Sequence, residues 1–432
     1  MTPAARLSAV IDVLNDLDQR PRPVNDALKD WGLSHRFAGS GDRAGIGALV
    51  HDALRKRSSA RWLMQDDSPR ATALGMLKSA RGMDVEAIAA FCNGSRFAPE
   101  ALSEVERTAL DGARLEQAPD HVRGDYPEWL EASFKAVFGA DAAAEGAALA
   151  LRAPLDLRVN TLKTIRLKAL PALAEYEAVA GHYGPDAIRV PPRSDGRIKP
   201  VQADPLFLKG MVEIQDEGSQ IVARLADPQA GQQVLDLCAG GGGKSLALAA
   251  LLNNKGQVFA SDADARRLAP IHERIARAGV RNVQVRTPRG GVMPLVDLKA
   301  RMDLVFVDAP CTGTGTWRRN PDAKWRMRPT SLELRMKEQV EVIDDAVSFV
   351  REEGVLIYVT CSVLPEENDG QVTALLQRHT AFEPIDLRET AAFRAMPGLA
   401  RATRATMHGV MLTPLQTGTD GFYIAALRKR AG

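Results

Sequence analysis

Two cysteines have the surroundings expected of reactive thiols. Cys311 stands in VDAPCTGTG and Cys361 in YVTCSVLPEEND, and each follows an apolar run that is typical of a buried strand. The two positions are fifty residues apart, which is too far for a local metal clip. Neighbouring strands of one parallel sheet would nevertheless bring both thiols to the same edge. A thiolate is a strong nucleophile, so the pair predicts covalent chemistry.

Such a pair suits the chemistry of a pyrimidine base. Cytosine C5 is a poor nucleophile until a thiolate adds to C6. After C5 has taken a methyl group from a sulfonium donor, the C5 proton must leave and the thiol must be eliminated, so a second group is needed. Asp308, three residues before Cys311, could hydrogen-bond the amidine edge of the base. The alternative for either cysteine alone is a buried apolar thiol at a strand end.

A glycine-rich turn follows a third apolar strand, in DLCAGGGGKS at residues 236–245. Four successive glycines allow the backbone to approach a ligand closely, and the helix that follows favours negative charge at its start. A phosphate-binding P-loop is excluded, because its first glycine would fall at Cys238. An S-adenosylmethionine turn fits better, since Asp262 after the next strand could bind the ribose hydroxyls. Asp236 either binds backbone amides of the turn or touches the cofactor.

The order of elements predicts an α/β protein. From residue 201, apolar strands alternate with amphipathic helices, which indicates a doubly wound, Rossmann-like parallel sheet with helices on both faces. We expect a catalytic domain at 201–432, a small α/β subdomain at 127–200 and an all-α domain at 1–126.

Composition narrows the class of protein. The 432 residues are 45% hydrophobic and 25% charged, as in soluble proteins of two or three domains. A net charge of +2 means that any basic surface must be local. We expect no membrane span, because no apolar run is long enough, and no cleavable signal. The four cysteines form no CxxC pair, which argues against a zinc ribbon or disulfide framework and favours a reduced, cytoplasmic protein without a metal.

Two basic segments could contact RNA. In the helical region, one helix carries cations opposite its apolar face, which is either a solvated surface or an RNA-backbone contact: Arg55, Lys56, Arg57 and Arg61. The second segment, TWRRNPDAKW, mixes cations with aromatic rings, as suits an unstacked RNA strand. Its predicted RNA contacts are Arg318, Arg319, Lys324 and Trp325. The alternative is that the tryptophans pack the loop on the sheet and one arginine pairs with Asp322.

Together these motifs resemble the RNA cytosine-C5 methyltransferases, the NOP2/Sun-related family whose bacterial members modify small-subunit ribosomal RNA. The matching stretches are QDEGSQ, DLCAGGGGKS, DAPCTGTGTWRRNPDAKW, YVTCSVLPEEND and GTDGFYIAALRK. The resemblance implies that Cys361 is the nucleophile, that Cys311 releases the product and that Asp308 meets the base. It places around S-adenosylmethionine Cys238, Ala239, Gly240, Gly241, Gly242, Gly243, Lys244, Asp262 and Asp308. The helical start more weakly resembles an antitermination-factor-like RNA-binding domain.

The chain departs from the family pattern at two places. The family turn usually runs A-A-P-G-G-K, whereas here Ala239 is followed by four glycines and Lys244. Loss of proline loosens the unbound loop. The family also usually has an aspartate after the third strand, and residues 283–291 contain none. Both changes predict weaker cofactor binding.

We therefore expect an S-adenosylmethionine-dependent RNA cytosine-C5 methyltransferase whose partner is RNA, with ribosomal RNA favoured. Two alternatives stay open: a transfer RNA methyltransferase, and a non-catalytic RNA-binding or ribosome-assembly protein that keeps the fold.

Overall fold

The computed structural model describes residues 1–112, 114–192, 200–288, 290 and 293–432. The described chain forms two compact units. One contains Met1–Arg152 together with Trp317–Arg328, and we call it the helical unit. The other contains Ala153–Pro192, residues 200–316 and Pro329–Gly432, and we call it the sheet unit.

The helical unit begins with helices whose starts are fixed by capping side chains. Thr2, Ser68 and Asp84 each accept a backbone amide at a helix start, which satisfies a donor that the helix itself cannot pair. Apolar faces of these helices form one buried core around Val10, Ile46 and Leu74. The helices are α1 Pro3–Gln19, α2 Val24–Ser34, α3 Ser40–Arg55, α4 Arg57–Met64, α5 Pro69–Arg81, α6 Val85–Phe91, α7 Glu104–Gly112, α8 Asp120–Arg123, α9 Glu131–Phe138 and α10 Ala142–Leu149.

The sheet unit opens with a small antiparallel sheet. Its strands are β1 Leu155–Val159, β2 Val179–Ala180, β3 Ala187–Val190 and β4 Val212–Ile214, in the order β2-β3-β1-β4. Two helices accompany it, α11 Arg166–Ala172 and α12 Pro205–Leu208. Arg189 pairs with the buried Asp156 across β1 and β3, with Nε 2.7 Å from Oδ1. The pair gives both buried charges a partner, without which burial would be costly.

The large sheet carries the remaining strands. They are β5 Gln233–Asp236, β6 Gln257–Ser261, β7 Val283–Arg286, β8 Met302–Asp308, β9 Val350–Thr360, β10 Phe382–Ile385, β11 Arg404–Ala405, β12 Gly409–Leu412 and β13 Phe422–Lys429. Its helices are α13 Glu217–Leu225, α14 Gly243–Leu251, α15 Ala265–Leu268, α16 Ile271–Ala278, α17 Pro321–Arg326, α18 Pro329–Phe349, α19 Asp369–Arg378, α20 Ala391–Arg394, α21 Leu399–Ala402 and α22 Pro414–Thr417. Of these, α17 belongs to the helical unit.

The centre of the large sheet is parallel, as predicted. The strand order is β11-β12-β13-β9-β8-β5-β6-β7, with β10 beside β13. β5 pairs in parallel with β6 on one side and with β8 on the other, and β8 pairs in parallel with β9. β6 and β7 lie on one side of β5, and β8 and β9 lie on the other, so the strand order reverses between β5 and β8. Open α/β sheets bind ligands at this point. Strand interiors are apolar because separate cores cover the two faces.

The carboxyl-terminal part of the sheet is not parallel, which corrects the all-parallel expectation. β13 pairs antiparallel with β9, β10 and β12. β12 leads into β13 through the short helix α22, so the two strands form an antiparallel pair without the long crossover that a parallel pair requires. The short strands β11 and β12 were not anticipated.

The compact units also divide the chain differently from the three predicted domains. Helices α9 and α10, which the sequence analysis grouped with the small subdomain, lie in the helical unit. Trp317–Arg328 joins them there, with Trp317 stacked on Phe134 at 6.0 Å between ring centroids. In the described part of the chain, every helix is too short or too polar to traverse a bilayer.

Candidate active site

The two cysteines meet at the end of neighbouring strands. Cys311 follows β8 and Cys361 follows β9, and the parallel register sets Asp308 beside Val359. The sulfur atoms are 3.3 Å apart. The amide of Gly315 donates to the carbonyl of Cys361 at 2.9 Å, which ties the loop after β8 to the end of β9. The expectation that one sheet edge would hold both thiols is confirmed.

The surroundings of Cys311 favour the neutral form of its thiol. The hydrogen bond to Cys361, followed by burial, raises the pKa of the Cys311 thiol well above its usual value. Cys311 therefore keeps its proton and can donate it toward the sulfur of Cys361.

An ion pair lies between the thiols and the glycine turn. Lys244, the second residue of α14, donates to Oδ2 of Asp308 at 2.5 Å. Burial alone would lower the pKa of the Lys244 ammonium, but the charge and hydrogen bond of Asp308 outweigh it, and the pKa is raised. A charge on Cys361 raises it further. The side chain of Asp308 is 29% exposed, so one carboxylate face stays open to a substrate.

The glycine turn has a conformation that only glycine adopts easily. Gly240 and Gly242 have φ values of 50° and 82°. A Cβ on Gly242 would lie 2.3 Å from Cγ1 of Ile271, so a side chain cannot fit there without displacing α16. The amide of Gly242 donates to the carbonyl of Ala239 at 2.9 Å and closes the turn. The turn thus presents a bare backbone at the ligand edge of the sheet, as an S-adenosylmethionine site requires.

Asp262 supports this turn from the end of β6. Its Oδ2 accepts the amide of Gly240 and its Oδ1 accepts the amide of Asp264, both at 2.9 Å. The predicted role of Asp262 was a contact with the ribose, and its support of the turn was not predicted. Each carboxylate oxygen keeps a second lone pair for a hydroxyl, so the two roles are compatible.

Asp236 and Cys238 lie beneath the turn. Asp236 is buried and accepts the hydroxyl of Ser245 at 2.6 Å, so it anchors the start of α14 through a side chain rather than through backbone amides. Burial raises its pKa to about 7. Burial also raises the pKa of the Cys238 thiol. The neutral thiol is therefore the favoured form of Cys238.

Arg274 is a site residue that the sequence analysis missed. Its Nη1 donates to the carbonyl of Gly241 at 2.7 Å, at the position where the resembled family usually has proline. Its Nη2 donates to Oε2 of Glu213 at 3.2 Å, and Glu213 is 1% exposed. Arg274 therefore acts as an arginine clamp. From α16 it restrains the turn that the loss of proline was predicted to loosen. No local motif marks Arg274, because it acts from a helix face.

Glu367 is a second missed residue. It lies in the PEEND stretch and is fully buried. Its carboxylate accepts the amide and hydroxyl of Thr312 and the amide group of Gln339, which also donates to the carbonyl of Pro310. These bonds fix the loop that carries Cys311. The signal was present in the sequence as an acidic residue six positions after Cys361.

The basic segment after Thr316 lies in the helical unit. Trp317 and Lys324 are 1% exposed, and Arg318 is 4% exposed. Lys324 lies 4.8 Å from the ring centroid of Trp325 and donates to the carbonyl of Arg55, while Nε1 of Trp325 donates to the carbonyl of Leu54 at 2.6 Å.

Trp317 is packed, as the alternative held, but its ring contacts Phe134 of the helical unit, whereas the prediction named the sheet. Lys324 and Arg318 are also buried. Arg319 and Trp325 are half-buried. The residue that pairs with Asp322 is Arg326. RNA contact by this segment stays a prediction.

Among the described residues directly after β7, which are 287, 288 and 290, none carries a carboxylate for the adenine amine. β7 ends at Arg286, and residues 289 and 291–292 lie outside the described chain. Among the described residues, no group of three or more His, Cys, Asp or Glu side chains is arranged to hold a metal ion.

Solved structures share this architecture. A methyltransferase homologue from Pyrococcus horikoshii covers 72% of this chain and 97% of its own length, with 24% identity and a TM-score of 0.57. The structure of NSun6 from the same organism, crystallised with SFG, covers 71% and 99%, with 23% identity and a TM-score of 0.60. The fold and the glycine turn define the class of S-adenosylmethionine-dependent methyltransferases, as predicted.

Relatives found by sequence show which family of methyltransferases the chain belongs to. The family described as 16S rRNA methyltransferase RsmB/F matches residues 223–428, and its ferredoxin-like domain matches residues 126–194. A probable ribosomal RNA small subunit methyltransferase B of Bacillus subtilis is 31% identical over 352 residues, which are 79% of this chain and 74% of that protein. The chain belongs to the RsmB/F family of RNA methyltransferases, and the predicted resemblance is confirmed.

Proposed function

We propose that this protein methylates C5 of a cytosine in ribosomal RNA through a covalent bond between Cys361 and C6 of the base. The observation that carries the proposal is the 3.3 Å separation of the Cys311 and Cys361 sulfurs beside the Asp308–Lys244 pair. Relatives that act on the small ribosomal subunit support the choice of RNA.

The residues divide the work as follows. Cys361, as thiolate, forms a bond to C6, and the electron pair of the C5–C6 double bond moves toward C5. Asp308 stabilises this electron-rich ring by a hydrogen bond at the amidine edge. When bound, S-adenosylmethionine supplies the electrophilic methyl group that C5 takes up.

The adduct must then be resolved. A base removes the C5 proton, the double bond re-forms between C5 and C6, and the bond to Cys361 breaks with its electron pair returning to sulfur. The protonated Cys311, held against Cys361, can return a proton to the departing sulfur. We therefore assign the release step to Cys311.

The conformation of the glycine turn indicates which residues would contact S-adenosylmethionine. Gly240, Gly241, Gly242 and Gly243 would present backbone groups, and Asp262 would bind the ribose. Lys244 would hold Asp308 in place at the boundary between cofactor and base. Cys238 and Ala239 would line the floor of the site.

Substitution of each thiol tests the assignment. Cys361→Ser should abolish methyl transfer to ribosomal RNA, because a hydroxyl ionises far less readily than a thiol. Cys311→Ser should accumulate a covalent protein–RNA adduct, visible as a shifted band on a denaturing gel. Cys92→Ala, in the helical core, is the matched control and should behave like wild type. Full activity of Cys361→Ser would refute the proposal.

Two further measurements address the alternatives. Calorimetry with S-adenosylmethionine should show binding, whereas a non-catalytic relative would show none. Bisulfite sequencing of total RNA from a deletion strain should show loss of one methylated cytosine in small-subunit ribosomal RNA. Loss in a transfer RNA instead would overturn the choice of substrate.

A further inference from the structure

A charged cavity of about 610 Å³ lies in the helical unit, and its described lining residues all belong to that unit. We call it the Asp52 cavity. Its charged lining residues are Asp52, Arg55, Lys56, Arg81 and Arg152. Four cations therefore share one cavity with one lining carboxylate.

The contacts of Asp52 show how the charges are balanced. Arg152 donates to both carboxylate oxygens at 2.9 Å and 2.7 Å, Arg81 donates to Oδ2 at 2.6 Å, and Arg55 donates to Oδ1 at 3.2 Å. Burial would raise the pKa of Asp52, but the arginines, chiefly Arg152, lower it, so the carboxylate is ionised. One negative charge faces three guanidinium groups, and the site keeps an excess of positive charge.

Lys56 lines the same cavity at the junction of α3 and α4. Its ammonium is 3.5 Å from the buried Asp125, which offsets its charge but makes no hydrogen bond with it. Arg81 uses only Nη2 on Asp52. Among the described residues, neither Nη1 of Arg81 nor Nζ of Lys56 has a hydrogen-bond acceptor, and neither atom is shut off from solvent. The side chains are 28% and 20% exposed.

These features fit a phosphate group. Guanidinium groups match phosphate oxygens in geometry, and an ammonium adds a point charge. The described residues that line the cavity include no aromatic ring, so it offers charge without a stacking surface for a base. We propose that the Asp52 cavity binds backbone phosphates of the RNA substrate through Arg81 and Lys56, with Asp52 holding the guanidinium groups in place. This inference rests on the proposed function for the identity of the RNA.

A purely structural role is the alternative. Arg55 and Arg81 end α3 and α5, where a cation stabilises a helix terminus without any ligand. The two roles differ in what the removal of Arg81 changes. Loss of an anchor lowers thermal stability only, whereas loss of a phosphate contact lowers RNA affinity and its dependence on salt.

The experiment measures binding of a labelled single-stranded fragment of small-subunit ribosomal RNA by fluorescence anisotropy across a salt series. We expect Arg81→Ala and Lys56→Gln each to raise Kd by about tenfold and to reduce the slope of log K against log salt by about 0.7. Arg81→Lys should recover most of the affinity. Arg107→Ala is the matched control, since it removes an arginine of the same unit that pairs with Glu86 at the surface.

Thermal unfolding of each variant and cofactor calorimetry complete the test. If Arg81→Ala and Lys56→Gln bind RNA with wild-type affinity and slope, the Asp52 cavity is not a phosphate site, whatever their stability. If both weaken RNA binding but wild type transfers no methyl group, the proposed function fails and the phosphate site stands. Should Arg81→Ala not fold, Lys56→Gln and Arg81→Lys decide the question.

Discussion

Glu367 accepts hydrogen bonds from both the amide and the hydroxyl of Thr312, at 2.8 Å and 2.5 Å. Thr312 follows Cys311 directly, and Glu367 lies six residues after Cys361. A single buried carboxyl therefore couples the two segments that carry the thiols. Gln339 from α18 completes the arrangement by donating to Glu367 at 3.0 Å.

Removal of this carboxyl should separate the thiols without touching the cofactor turn. In Glu367→Ala the partly buried amide of Thr312 loses its acceptor, which costs about 1 kcal/mol of stability. A displacement of about 1 Å at Cys311 should lower kcat by about 100-fold. Affinity for S-adenosylmethionine, measured by calorimetry, should not change.

The control for this prediction is Glu367→Gln. Burial raises the pKa of Glu367, so a neutral isostere is tolerated and should keep most of the activity. Equal activity of Glu367→Ala and wild type would contradict the positioning role.

The arginine clamp on the glycine turn predicts a change in cofactor affinity. Arg274→Ala removes the hydrogen bond to Gly241 and should weaken S-adenosylmethionine binding about tenfold, or about 1.4 kcal/mol, because the freed turn must be ordered on binding. Arg277→Ala is the matched control, since Arg277 also pairs with Glu213 but makes no bond to the turn. Similar affinities of the two variants would show that the clamp is dispensable.

Asp236 predicts a dependence of stability on pH. Its pKa in the folded protein is about 7 because the carboxyl is buried, whereas an exposed aspartate titrates near 3.8. The unfolded chain therefore loses its proton first, and stability is lost as pH rises from about 4 to about 7. Asp236→Asn cannot ionise and should raise Tm more at pH 8 than at pH 4, as measured by calorimetry. An equal shift at both pH values would contradict the assignment.

Lys324 predicts that stability depends on pH in the opposite direction, falling as pH decreases. Burial lowers the pKa of its ammonium to about 7, with Asp125 opposing the shift. The native state resists protonation that the unfolded chain accepts, so stability falls as pH decreases from about 10 to about 7. Lys324→Met should raise Tm more at pH 6 than at pH 10.

The same variant tests the RNA role of Lys324. If the side chain only packs between Trp317 and Trp325, anisotropy should give unchanged RNA affinity. A loss of affinity with a smaller salt slope would support the predicted phosphate contact instead.

The sequence by itself determined the parallel core of the sheet and the place where the two thiols meet. Apolar strands such as MDLVFVD and the glycines at 240–243 follow local rules of burial and backbone freedom, so the parallel centre of the sheet and its turn could be predicted. Cys311 and Cys361 could be paired because the carboxyl ends of parallel strands share one edge.

Only the tertiary structure decided how these parts are held. Arg274 reaches Gly241 from a different helix, and Glu367 reaches Thr312 from a different loop, across sequence separations of 33 and 55 residues. Burial of Lys324 likewise depends on Trp317–Arg328 packing within the helical unit. Local patterns specify faces and turns, but the partner of a long polar side chain depends on which elements meet in space, and that is a property of the folded chain.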